Sequence, residues 1–253
     1  GRGIKIAVLD SGFRDYRQFL GKGLPSQVVT RTFRQDREFE ARDSQHGVLC
    51  AEVIHAVAPE ANVMLVNWQP DNPQSFLDAV RWAKNEGAKI LTCSLIMPSW
   101  SDGEGGGAVH QGLREILGDS MLFFASAGNT AQRHWCGAYA PDDAGWHQWR
   151  DGVIYNTLKP LGNERVAVEF YGPTRGAFEM VVANDVTNEV VGRAWLRVDS
   201  TKTCGRVVVR FEPEEGATYR VRVRCVNAPN GQREAFHLVA LGASLRHATS
   251  RGS

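Results

Sequence analysis

The chain has 253 residues, 43% of them hydrophobic and 23% charged, with a formal net charge of +1. Such a composition is globular and long enough for one large domain or two smaller ones. The small net charge offers no general attraction for nucleic acid or an anionic membrane, and no apolar run approaches the roughly 18 residues of a membrane span.

The opening GRGIKIAVLD has no initiating Met and no signal-peptide pattern, so a removed leader or a piece of something longer is expected. IKIAVLD reads as a strand ending on Asp10. HGVLCAEVIHAVAP reads as a helix stopped by Pro59, ANVMLVNW as a strand, and PQSFLDAVRWAKNEG as a helix closed by Gly87. AKILTCSL is the next strand, GAVHQGLREILG a helix and SMLFFASA a strand. Fully apolar strands alternating with helices predict an α/β fold: a parallel sheet with helices on both faces. Only about four such strands are visible, which leaves the sheet incomplete.

Beyond about residue 150 the hydrophobic period becomes two. ERVAVEFYG, AFEMVVAND, GRAWLRVDS, GRVVVRFEP, TYRVRVRCVN and EAFHLVALG are each bounded by turn residues. They predict a second, all-β sandwich domain. In YRVRVRCVN, Arg220, Arg222 and Arg224 share one face, read as a solvated strand face rather than an anion site. The expected division is 1–149 for the α/β part, 150–243 for the sandwich and 244–253 for a return to the first domain. Five cysteines, Cys50, Cys93, Cys136, Cys204 and Cys225, show no CxxC spacing. Buried thiols are the preferred reading, with a Cys204–Cys225 pairing as the alternative.

Three short stretches carry chemistry. In VLDSG, Asp10 closes an apolar strand, where open α/β sheets place their ligands. In SQHGVLCAEV, His46 opens a helix beside Gly47, and Cys50 falls on the same helix face. A zinc ion could use His46 and Cys50, but no second ligand pair is visible, so no metal site is expected. In FFASAGN the side chains shrink to Ala125, Ser126, Ala127 and Gly128 before Asn129, whose amide is a donor suited to an oxyanion. Taken singly, each has a plain explanation as a turn or helix start.

Together and in this order, Asp10, His46-Gly47 and Ala127-Gly128-Asn129 resemble the subtilisin-like serine proteases over residues 4–135. The resemblance implies that Asp10 orients His46, that His46 is the general base and then acid, and that Asn129 binds the oxyanion. It implies a substrate-binding edge at Ser94, Leu95 and Ile96, with Ala125, Ser126, Ala127 and Gly128 lining the pocket. The family usually has Gly where Ile96 stands. The β-rich segment resembles the sandwich that a subset of these proteases carries as an insertion. The resemblance further implies a peptide or protein substrate, no cofactor and a secreted or periplasmic location. Calcium is left open, Asp142 and Asp143 being the available loop acids.

One departure matters. The family's Gly-Thr-Ser-x-x-x-Pro nucleophile segment is absent from the sequence. Neither Ser11 nor Ser250 has that context. The expectation is a fragment, inactive alone, whose partner is the missing C-terminal part of the same protein. The alternative is a non-catalytic module that binds peptide or protein. A caspase-like cysteine peptidase using His46 and Cys93, 47 residues apart, is a further alternative, but it leaves Asp10 and Asn129 without a role. A receiver or phosphatase domain built on VLDSG with Asp15 and Asp43 lacks a suitable Lys late in the sheet.

Overall fold

A computed structural model describes residues 1–40, 44–70, 72–97, 100, 105–128, 132–172, 176–197, 205–226 and 234–249. The chain divides into two units, Gly1–Gly128 and Asn129–Ser253.

The first unit is the expected α/β part. Its strands are β1 (Lys5–Asp10), β2 (Val29–Phe33), β3 (Asn62–Trp68), β4 (Ile90–Cys93) and β5 (Leu122–Ala125); its helices are α1 (His46–Val57), α2 (Pro73–Asn85) and α3 (Ala108–Leu117). All strand pairs are parallel, in the order β2-β3-β1-β4-β5. Alternation along β1 splits the core. Ala7 and Leu9, with Met64, Val66 and Leu91, pack with residues of α2 and α3. Val8, with Val63 and Leu65, packs with Val48 and Ala51 of α1. Both sheet faces are thus covered, which is why β1 and β3 read as unbroken apolar runs. The start of α2 is locally encoded: Asn72 Oδ1 accepts the N–H groups of Gln74 and Ser75 ahead of Pro73 as the first helical residue. The fifth strand, β2, reads VTRTF, lies at an edge and has no fully buried residue, so it lacks the apolar run that marks the others.

The second unit is a two-sheet β structure. One sheet runs β10-β9-β12-β7-β14, using Val190–Arg197, Ala177–Asn184, Tyr219–Cys225, Asn156–Pro160 and Ala243–Leu245. The other runs β11-β8-β13-β6, using Arg206–Phe211, Val166–Tyr171, Ala235–Leu241 and His134–Ala138. Every described pair is antiparallel. Phe170, Met180, Val221, Val223, Phe236 and Leu238 belong to the core cluster of this unit, as their period of two predicts.

The division at 149/150 moves. Strand β6 pairs with β13, so residues from 134 onward belong to the second unit. The segment 244–253 does not return to the first unit over its described part. Leu245 N–H donates to Gln132 O, Arg246 N–H to Thr157 O, and Thr249 N–H to His134 O, each at 2.9 Å. The three strands unnoticed in the sequence, HWCGA, NTLKP and ASL, are short and interrupted by Gly, Pro or polar residues.

Candidate active site

Asp10 and His46, 36 residues apart, are joined by two backbone crossings. Asp10 ends β1, and its side chain is 1% exposed. The chain then turns at Ser11-Gly12, where Gly12 N–H donates back to Asp10 Oδ1 at 2.9 Å. Gly47 N–H, in the first turn of α1, donates to Gly12 O at 2.7 Å. The two glycines make this approach feasible. A Cβ on Gly47 would fall 2.5 Å from the Phe13 ring and 2.7 Å from Asp10 Cβ, and one on Gly12 would fall 2.5 Å from Ser44 Oγ. Ser44 also accepts the His46 N–H, at 3.2 Å, through its hydroxyl, and its carbonyl accepts Arg14 N–H at 3.0 Å. The helix start is thereby fastened to the turn after β1.

This closure puts His46 Nδ1 2.7 Å from Asp10 Oδ2. The ring is 46% exposed while its partner carboxylate is buried. With Nδ1–H donated to Asp10, Nε2 carries the lone pair and is the basic atom available to an incoming hydroxyl. The arrangement is that of a base held in one tautomer by a buried carboxylate.

Cys50 Sγ lies 4.0 Å from His46 Nδ1. Burial pushes its thiol up, opposed by a hydrogen bond with Ser94, and the Asp10 charge adds to the rise. The donor atoms of Asp10, His46 and Cys50 all lie within 4.8 Å of one another. These three could hold a soft divalent cation only by replacing the Nδ1 proton that Asp10 already accepts. Cys93 is 4% exposed, its Sγ donates to Leu95 O at 3.8 Å, and burial drives its pKa up to about 11. A thiol so raised is a poor nucleophile, which disfavours the His46–Cys93 alternative.

The other predicted residues fall on two segments leaving the sheet side by side. Pairing of β4 with β5 ends at Cys93–Ala125, and Ser126 N–H donates to Cys93 O at 3.1 Å. Beyond this, Ser94, Leu95 and Ile96 are half-buried, Ala125, Ser126 and Ala127 are exposed, and Gly128 is half-buried. Leu95 packs on the core shared with α2 and α3. Gly128 has φ +77, and a Cβ there would sit 2.6 Å from Ile96 Cγ2. Ile96 thus occupies the space that Gly128 leaves open. Asn129 lies outside the described residues, as do Asp43, Cys204 and Ser250. Sequence reasoning missed Ser44 and Phe13, the packing partners of the glycine crossing. The only signal for them was their nearness to Asp10 and His46.

The family model described as the subtilase family of peptidases matches residues 1–164. No curated protein matches the chain significantly. Among solved structures, the CspB protease of Clostridium perfringens is similar, with TM-score 0.53 and 11% identity, covering 98% of this chain and 65% of that one. This chain therefore spans about two-thirds of that protease's length. The PatG macrocyclase in complex with peptide is a weaker likeness: TM-score 0.33 and 14% identity, over 51% of this chain and 52% of that one. No helix among the described residues is long and apolar enough to cross a membrane.

Proposed function

Because this chain belongs to the subtilase family, we propose that its first unit is the aspartate–histidine half of a serine endopeptidase site. The observation that carries the reading is the 2.7 Å contact of His46 Nδ1 with buried Asp10. In this mechanism His46 Nε2 takes the proton of a serine hydroxyl as it attacks the peptide carbonyl, and later returns a proton to the leaving amine. Asp10 keeps the ring in the right tautomer and balances the imidazolium. Asn129, at the end of the FFASAGN run, donates its amide to the tetrahedral oxyanion. The peptide runs between Ser94–Ile96 and Ala125–Gly128, hydrogen-bonding to backbone that lies past the end of the β4–β5 ladder.

The nucleophile comes from a segment other than these residues, because the sequence has no Gly-Thr-Ser-x-x-x-Pro run. Alone, the chain binds peptide without cleaving it. That same absence favours a second reading, a peptide-binding module that never cleaves. A serine-reactive fluorophosphonate applied to the full natural chain separates the two. An adduct on a serine in a Gly-Thr-Ser context, lost in His46→Ala, supports the peptidase. A folded full-length protein that forms no adduct supports the binding module.

A further inference from the structure

In the second unit, β6 and β13 place Cys136 directly opposite His237, with His134 two residues before Cys136 on the same strand. All three side chains lie on the sheet face away from the core, since their neighbours Trp135, Phe236 and Leu238 fill the core. His237 is 9% exposed, while His134 and Cys136 are half-buried. The same face also carries apolar residues, among them Val239 and Ala167.

The contacts form a relay. Cys136 Sγ lies 3.7 Å from His237 Nε2, and His237 Nδ1 lies 3.0 Å from His134 Nε2. Tyr171 of β8, opposite His237, stacks on its ring at 4.7 Å between centroids and 7° between planes. The backbone is fastened too: Cys136 N–H donates to Thr249 Oγ1 at 2.7 Å. Burial holds the His134 pKa down, so this ring is neutral at pH 7 and can accept Nδ1–H from His237. His237 Nε2 then faces the thiol as a base. The aromatic face of Tyr171 favours the imidazolium that results from proton transfer. The other charged group that β8 brings to this face, Glu169, is engaged by Arg206 of β11 at 2.9 Å.

We propose that Cys136 is a reactive thiol, activated by His237 and positioned through His134, that undergoes exchange with low-molecular-weight disulfides. In this step the thiol proton passes to His237 Nε2, and the thiolate attacks one sulfur of the disulfide RSSR. The S–S bond of RSSR breaks, a Cys136–SR bond forms, and the departing thiolate takes the proton back from His237. Cys136 is oxidised as RSH is formed, so the exchange needs no other oxidant. Such activation by a neighbouring imidazole is the usual route to a low thiol pKa. The relay is separate from the proposed peptidase chemistry and does not depend on it.

The test is timed exposure of the full natural chain to glutathione disulfide at pH 7, read cysteine by cysteine by mass spectrometry. Cys136 should be modified at least about tenfold faster than Cys50 or Cys93, whose thiols are raised. His237→Gln should remove most of that advantage while leaving the circular dichroism spectrum unchanged. In wild type, the pH profile of Cys136 alkylation by iodoacetamide should have its midpoint below the ordinary thiol value of about 8.5. A rate no greater than that of Cys50 would overturn the proposal, as would equal rates in wild type and folded His237→Gln. If His237→Gln fails to fold, the wild-type profile decides, and a midpoint at or above about 8.5 overturns it.

Discussion

Asp10 is buried yet fully used, one carboxylate oxygen accepting Gly12 N–H and the other facing His46 Nδ1. Asp10→Asn keeps the size and one acceptor but can hold the wrong imidazole tautomer. On the proposed peptidase mechanism, the substitution in the full natural chain should lower kcat on a peptide substrate by about 10⁴ with little change in KM. Gly47→Ala acts earlier in the chain of causes. Its methyl meets Phe13 and Asp10 Cβ, and such overpacking should cost about 1–3 kcal/mol in denaturant unfolding. His147 shows the same principle in the second unit. It packs among Trp135, Trp149 and Phe236, its Nδ1 accepts Ala140 N–H, and burial lowers its pKa to about 4. The unfolded chain, with an ordinary histidine pKa near 6.5, therefore binds this proton more readily than the fold does. Stability is full above about pH 6.5 and falls as pH drops toward 4, by roughly 3 kcal/mol for this group. Thermal unfolding at pH 7 and 4.5 should show the loss, and His147→Gln should shrink it.

At the scale of elements, legibility followed local chemistry. The apolar runs of β1 and β3, and α2 with its Asn72-Pro73 start, could be read because burial on both faces or a cap leaves a strong local pattern. Strands β2, β6, β7 and β14 could not, because edge position, short length and Pro or Gly remove that pattern. The Asp10–His46 pair was suggested by residue type and order, but the reason they meet was hidden. It lies in two glycines whose missing Cβ atoms matter only once the turn and helix touch. The cleft segments behave alike, since nothing in ILTCSLI says that Ile96 fills the space beside Gly128. Gly128→Ala should destabilise the fold by about 1–2 kcal/mol, from the contact with Ile96 and the positive φ. Adding Ile96→Gly should recover only the contact share. Urea unfolding of wild type, both single variants and the double variant measures the coupling.

For the molecule as a whole, the first unit leaves apolar surface in the open. Leu49, Val53 and Val57 form a ridge at helical spacing on α1, and Leu122 and Phe124 are exposed on edge strand β5. A ridge and an open edge of this kind favour association. The 253-residue chain alone should bind an apolar-sensing dye and self-associate in sedimentation velocity. Leu49→Lys with Val53→Lys should reduce both with little effect on unfolding, since neither side chain is buried. The contact of His46 with Asp10 also has a use in time. The proton between them should give a low-field NMR resonance only once β1, the turn after it and α1 have docked, and parallel pairing of β1 with β3 closes a long stretch of chain. During refolding, that single proton is a clock for the first unit, started by collapse and stopped by the meeting of two residues far apart in sequence.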